Sequence, residues 1–600
     1  MTKSNESIGS QVDLSNIEEL NNCTSDELDS VNVDLSIVNE WIEHDIFEPT
    51  KKELKNILEK ALDGDPSSIS YINDAFKTEL TFGTAGLRGE MGPGPNRMNH
   101  CVVARAAKGL SDYLYKNLGK GYKVVIGFDA RYNSESYAVI SAKIIEANNG
   151  NAYIMPFYSP TPMTVYAANV LNADATIVVT ASHNPAKDNG YKVYLGEKLG
   201  GKNGKGVQIV PPADKDIFEL IQQAPFADMI PQKNTYQTID NSIWNSYVNH
   251  VCEHSEKIVS TKSARQLKIV TTALHGVGGK VLNAILSKSG FENVYNVEEQ
   301  QIPDPNFPTL DFPNPEENGA LDLAIALAKK KNADIILAND PDADRCSVAI
   351  KEGKTYRQLN GDEIGCLLGN IIASNNKNTN AVLANSIVSS RLLALIAKSH
   401  NINHTETLTG FKWIARSEKM VFGYEEAIGF CVDPENIRDK DGLSACLIIA
   451  KYADALKDHA KSLQDILDIF ALRFGLYHTG QLSIRVEEPD IIAKALKNIK
   501  VNPPKVLANS KVVKIVDLEN NPESDLPPTV GFAFYTASND RIIIRPSGTE
   551  PKLKCYIETI VPPEIVAPAY FSMHSMRNPM LQALGRIQDL KINIRKSLGI

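Results

Sequence analysis

The stretch ATIVVTASHNP, residues 175–185, decides how the rest of the chain is read. Small and β-branched residues from Ala175 to Val179 run straight into the polar loop Thr180-Ala181-Ser182-His183-Asn184-Pro185. That is the pattern of a buried strand that ends in a turn.

Working outward, the same pattern recurs. Upstream, KVVIGFDA (123–130) reads as a strand, followed by a helix over 134–147 that stops before Asn149-Gly150, and by NAYIMPF. Downstream come QLKIVTTALHG, the helix NGALDLAIALAKKKN, the strand ADIILAN, then AVLANSIV, a helix near 390–399, MVFGYEEAIGF and RIIIRPSGTEPK. Strands alternating with helices of this length predict βαβ units and mostly parallel sheets. Polar loops bearing Gly or Asp follow strands at 180–190, 340–345, 423–429 and 545–552. Open α/β sheets bind ligands just beyond the carboxyl ends of their strands, so four such loops predict four domains facing one cleft. The expected boundaries are 38–231, 232–351, 352–473 and 474–600, with linkers near Pro231-Gln232, Lys351–Gly353 and Arg473–Gly475. Residues 1–37, rich in Ser, Asn, Asp and Glu, read as a mobile tail, and helices are expected from Val38 to about Phe76.

Composition narrows the function. A chain of 600 residues is several cores long. Its net charge of −9 gives no electrostatic support for nucleic acid or an anionic membrane as partner. Among its 8 cysteines none forms a C-x-x-C pair, which argues against zinc and redox sites and predicts reduced thiols, as in the cytoplasm. The polar start MTKSNESIGSQ has no apolar signal segment. The apolar run Leu443–Leu456, interrupted by Lys451 and Asp454, is too short for a bilayer and reads as a buried helix.

The loops carry the chemistry. A serine exposed at a strand's end can carry a phosphate and hand it on, splitting one hard transfer into two easier ones. Taken singly the same loop would serve as a polar turn. In Asp340-Pro341-Asp342-Ala343-Asp344-Arg345, alternate residues share one side, so three carboxylates converge. A hard divalent cation with oxygen ligands relieves their repulsion, and Mg²⁺ suits phosphate chemistry. An EF-hand is excluded, because its Gly and Glu positions hold Arg345 and Lys351. A phosphatase of the haloacid dehalogenase type would show D-x-D-G-T, which this loop lacks. Arg545-Pro546-Ser547-Gly548-Thr549-Glu550-Pro551-Lys552 combines cations, hydroxyls and a glycine backbone as a phosphate cradle. The pair Glu425-Glu426 could accept from sugar hydroxyls, and TFGTAGLRG (81–89) could be a further anion loop.

Together, and in this order from about Thr81 to about Ile560, these pieces resemble the α-D-phosphohexomutase superfamily of phosphoglucomutases and phosphomannomutases. The resemblance implies an α/β fold, with three similar mixed-sheet α/β domains and a C-terminal α+β domain around a central cleft. It implies a phosphoserine at Ser182 and Mg²⁺ held by Asp340, Asp342, Asp344 and that phosphoserine. Arg88 and Arg345 would steady the transferring phosphoryl group, and Glu425 would bind sugar. Arg545, Ser547, Gly548 and Thr549 would hold the phosphate that does not react. Thr409, Gly410 and Phe411 match the loop that selects the sugar. Lys440 and His183 match basic residues near the reacting hydroxyl, candidates for general acid and base. Where ordinary phosphoglucomutases read G-E-E-S-F-G, this chain has Ala427 in place of the serine. Its E-E-A-I-G form looks like the type-2 branch of phosphoglucomutases and phosphopentomutases.

The implied activity is therefore a mutase joining sugar 1- and 6-phosphates, glucose first, with pentose 1- and 5-phosphates as further substrates and a sugar 1,6-bisphosphate as intermediate and activator. A phosphotransferase releasing that bisphosphate, or a phosphomannomutase, would use the same residues. A silent binding protein on this fold has no need of Ser182, three aspartates and Lys440. The expected partner is a phosphosugar substrate, and the chain itself is expected to be a monomer or weak homo-oligomer.

Overall fold

The computed structural model describes residues 31–83, 86–260, 265–486, 489–523, 525–546, 552–573 and 575–599. Residues 1–30 of the expected tail, Thr84, Ala85 and the 547–551 part of the cradle loop lie outside the described residues. Helix begins at Leu35, because the Asp34 carboxylate accepts from the Ser36 amide and caps the Leu35–His44 helix. Helices Glu48–Leu62 and Pro66–Lys77 complete an N-terminal helical layer.

Four sheets follow in chain order. In the first, the strands run Leu87–Glu90, Asp188–Leu195, Ala175–Val179, Lys123–Phe128, Asn151–Ile154 and Gln237–Thr238 across the sheet. Lys123–Phe128 is parallel to both its neighbours, whereas Asp188–Leu195 is antiparallel to both of its own. The second sheet orders Thr355–Gln358, Ser347–Glu352, Ile335–Ala338, Ile269–Thr272 and Val294–Asn296; the third orders Asn403–Thr407, Val382–Ser386, Met420–Glu425 and Gly429–Cys431. Both mix parallel and antiparallel pairs. The last sheet, from Leu476–Arg485 to Lys552–Val561, has antiparallel pairs throughout and carries the helix Arg577–Leu598. The fold is α/β.

One of the expected linkers is part of a sheet, and a strand lies just beyond another. Gln237–Thr238 pairs with Tyr153–Ile154, so the first sheet reaches past Pro231. Lys351–Gly353 belongs to a hairpin, with Lys351 opposite Tyr356 and Glu352 opposite Thr355. Polar residues and a glycine mark a tight turn as readily as a linker.

One continuous core runs through the first three domains, from Val125 and Val178 through Ile269 and Leu337 to Leu383 and Phe422. At its centre lies the helix Gly442–Lys457, buried on nearly all sides. Its three charges are paired, Lys451 with Ser255 and Glu256, Asp454 with Arg265, and Lys457 with Asp334. The last domain has a separate core. It meets the third through the small cluster Val388, Ala533, Ile543 and Tyr556, and through Glu558, which accepts from Ser390 and Arg391.

Candidate active site

Ser182 stands where the parallel strand Ala175–Val179 ends, on a backbone with φ of 52°. Its amide donates to Thr180 Oγ1 at 2.8 Å, and its Oγ donates to Asp340 Oδ2 at 2.8 Å. This hydroxyl is one point at which the first and second domains meet. His183 Nδ1 lies 3.3 Å from the same oxygen. Burial, reinforced by Arg345 and Arg88, holds His183 well below the usual imidazole range, so the ring is neutral.

The carboxylates of Asp340, Asp342 and Asp344 are fully buried, with ligand oxygens within 4.8 Å of one another. Their loop is gripped from two sides. A Cβ at Gly276 would come 2.3 Å from Pro341 Cα, and one at Gly442 would come 2.1 Å from Arg345 O, so only glycine fits either place. Burial and then repulsion from Asp342 and Asp344 push Asp340 up to about 8. Asp344 is held below the usual carboxylate range: burial opposes this, but Lys192, Lys440 and Arg345 outweigh it. Asp342 Oδ1 and Asp344 Oδ1 are buried without a hydrogen-bond partner. Two orphaned carboxylate oxygens in a buried acidic cluster fit a hard cation with oxygen ligands.

Cations surround this triad. Arg345 Nε is 3.8 Å from Asp340 and 3.9 Å from Asp344. Lys440 Nζ is 3.3 Å from Asp344 and 3.6 Å from Glu425, which brings the third domain's sheet to the second domain's loop. Burial disfavours the Lys440 ammonium, yet Asp344, Glu425 and Asp439 together hold its pKa above the ordinary value. Arg88 Nη1 reaches Asn184 Oδ1 at 3.4 Å and feels the fields of Asp342, Arg345 and Asp344. A backbone bridge between Arg345 and Gly429 ties the two loops directly.

Further along the cleft, Arg545 Nε is buried without a hydrogen-bond partner beside Tyr556. Ser547, Gly548 and Thr549 lie outside the described residues. In the loop Thr409-Gly410-Phe411, Gly410 has φ of 104° and opens the short helix Phe411–Ile414. The Phe411 ring is buried in a small core with Val207, Ile414 and Met420. The next residue, Lys412, lies in the fields of Arg545 and Asp214, and burial pushes its amine down to about 8.

Several residues outside the motifs complete the site. Lys192 Nζ, itself buried, donates to Asp342 Oδ2 at 2.7 Å and Asp344 Oδ2 at 2.9 Å. Thr161 Oγ1 donates to Asp342 Oδ2 at 2.5 Å, and Glu316 lies 3.5 Å from Arg345. Arg131 binds the serine loop from beneath. The one signal available for Lys192 was a lysine amid Tyr191, Val193 and Tyr194, in a strand whose neighbours are all buried.

The serine loop, the acidic triad, Lys440 with Glu425 and Arg545 lie in four successive parts of the chain, and comparison with known proteins divides it into four domains. Family models for phosphoglucomutase/phosphomannomutase match in order: alpha/beta/alpha domain I at 79–228, domain II at 245–353, domain III at 360–472 and the C-terminal domain at 484–567. A probable phosphomannomutase of Haemophilus influenzae is 42% identical over 465 residues, 77% of this chain and 93% of its own. The phosphopentomutase of Homo sapiens is 34% identical over 543 residues, 82% of this chain and 87% of its own. A crystal structure of a phosphoglucomutase/phosphomannomutase family protein from Burkholderia thailandensis has the same fold, with a TM-score of 0.66 and 20% identity over 87% of this chain and 98% of that one. The chain therefore belongs to the phosphoglucomutase/phosphomannomutase family, within the α-D-phosphohexomutase superfamily, and is a phosphomutase.

Proposed function

We propose that this phosphomutase works through a phosphoserine at Ser182, and that it interconverts glucose 1-phosphate and glucose 6-phosphate while also accepting pentose 1- and 5-phosphates. The observation that carries the reading is the single hydroxyl of Ser182, 2.8 Å from Asp340, at the meeting point of the buried triad and its cations. Asp340, Asp342 and Asp344 would hold Mg²⁺, which when bound neutralises charge on the transferring phosphoryl group.

The chain's own residues do the rest. Arg88 and Arg345 steady the phosphoryl group as the Ser182 Oγ–P bond breaks and the sugar O–P bond forms. His183, held neutral, can take the proton of the attacking hydroxyl, and Lys440, held charged, can give one when phosphate returns to Ser182. Glu425 accepts from sugar hydroxyls, and Arg545 with its loop holds the phosphate that is not reacting. Such a holder must serve a sugar bisphosphate in either orientation, which accounts for a cradle set apart from the triad. Little covalent chemistry is asked of the protein, so positioning and charge stabilisation supply most of the acceleration.

The test is a panel of glucose, mannose and ribose 1-phosphates, each assayed with and without added sugar bisphosphate, together with peptide mass analysis of the phosphorylated enzyme. Phosphate on Ser182, glucose turnover stimulated by bisphosphate and measurable ribose turnover are expected. Phosphate on another residue overturns the mechanism. A preference for mannose over glucose overturns the sugar assignment.

A further inference from the structure

Arg131 belongs to none of the motifs, yet no other side chain holds the serine loop so closely among the described residues. It follows the strand Lys123–Phe128 and its side chain is only 1% exposed. Nη1 donates to Pro185 O at 2.7 Å and to Asp188 O at 3.1 Å. Nη2 donates to Ser182 O and to Asn184 O, each at 2.6 Å. A guanidinium offers five N–H bonds in a fixed planar fork, and these contacts take up all four on its terminal nitrogens. The fifth, on Nε, makes no hydrogen bond, although Nε lies 3.3 Å from Asp129 Oδ2 in an ion pair. The Phe307 ring of the second domain covers the guanidinium, 4.9 Å from ring centre to Cζ. Asp129 is itself fixed, accepting from the Arg131 amide at 3.1 Å and from Ser134 Oγ at 2.7 Å. With every terminal donor turned onto backbone carbonyls, Arg131 has none left for a phosphate. Its effect must pass through the loop.

We propose that Arg131 is a positioning residue for phosphoryl transfer: it gathers four carbonyls of the 182–188 segment around one planar cation, holding Ser182 in the left-handed conformation that aims its Oγ at Asp340. A non-glycine residue in that region sits uphill by itself, and such a conformation persists only where its surroundings over-determine it. Four charge-assisted bonds to the carbonyls of a single turn are that over-determination. The stacking of Phe307 also fixes the guanidinium relative to the domain that supplies the aspartates. The inference rests on the reading of Ser182 as the phosphate carrier.

The test is Arg131→Lys, which keeps the charge opposite Asp129 but cannot fork to four carbonyls. A displaced reacting atom costs on the order of 10²-fold in rate, so kcat is expected to fall about 10²-fold while KM for the sugar phosphate stays within about threefold. The phosphoenzyme should also lose its phosphate to water faster, because a loosened loop exposes it. A variant with native kcat, or one whose loss lies mainly in KM, overturns the proposal. Should the lysine variant fold poorly, Phe307→Leu keeps an apolar side chain and all four bonds but uncovers one face of the guanidinium. It is expected to lower kcat several-fold and speed phosphoenzyme hydrolysis, and no change in either overturns the proposal. Ser182→Ala separates the two claims. If it still takes up phosphate from glucose 1,6-bisphosphate, the reading of Ser182 falls; if it takes up none and Arg131→Lys behaves as native, only the role of Arg131 falls.

Discussion

Replacing Asp342 by alanine separates the electrostatics of the triad from its chemistry. In the metal-free protein the substitution has two opposed effects. It removes the acceptor for Thr161 at 2.5 Å and for one Lys192 contact at 2.7 Å. Hydrogen bonds to a charged group contribute ~1.5–3 kcal/mol each, so about 3–6 kcal/mol is lost. It also relieves repulsion among carboxylates within 4.8 Å of one another. At an effective dielectric of about 20, one ionised pair at that distance repels by 332/(20 × 4.8), or about 3.5 kcal/mol. One such pair counts when Asp340 carries a proton and two when it does not. The terms offset, so the metal-free thermal midpoint should move little. The response to metal should vanish. A cation at a hundred times its Kd stabilises by about 2.7 kcal/mol, and Asp342→Ala should lose most of that increment. Activity should fall by about 10³-fold, the several kcal/mol that a metal supplies to a phosphoryl transition state. The assay is thermal unfolding with Mg²⁺ and with chelator, paired with turnover. A variant whose midpoint still rises with Mg²⁺ as the native protein's does would refute the assignment of the triad.

Arg545→Ala should cost ~2–4 kcal/mol in kcat/KM for a sugar phosphate, as expected for a bidentate charged contact, and far less for a substrate without its distal phosphate. An equal loss for both would move Arg545 out of the cradle. Glu426 accepts from Ser386 and Ser389, and burial followed by Glu425 and Asp362 pushes it up to about 7. Because its folded pKa lies above its unfolded one, it favours the fold below about pH 4.5 and loses that contribution as pH rises to about 7, at ~1.4 kcal/mol per unit. Glu426→Gln should therefore flatten stability between those values by about 1–3 kcal/mol, and an unchanged pH profile of unfolding would count against it. Ala427→Ser should lower the ribose-to-glucose ratio of kcat/KM, since a site built to bond a hydroxyl rejects a sugar lacking it. An unchanged ratio would show that Ala427 does not set the preference.

What could be seen in the chain before folding was whatever its local pattern carries. Ser182 and the three aspartates were visible because each follows a run of β-branched residues, and such strands deliver their ends to a cleft. Lys192, Thr161 and Arg131 were not, because their partners lie 150, 181 and 51 residues away in the chain. A lone lysine in a strand reads as a solvent-facing residue until the neighbouring acidic loop is known. Phe411 was visible through its motif, and its burial among Val207, Ile414 and Met420 was not. The turn at Lys351–Gly353 read as a linker because hairpins and linkers draw on the same residues.

The backbone of Ser182 makes a choice that its chemistry does not. Serine and threonine offer the same alcohol, and a phosphate ester on either could be transferred. At φ of 52°, however, a second substituent on Cβ crowds the adjoining peptide. An ordinary L residue in that region costs about 1–2 kcal/mol, and a β-branched one is a marked outlier. Threonine at 182 would thus relax the loop toward extended geometry and swing its hydroxyl away from Asp340, leaving a competent nucleophile aimed at nothing. Of the two alcohols, serine is the one that this turn accommodates.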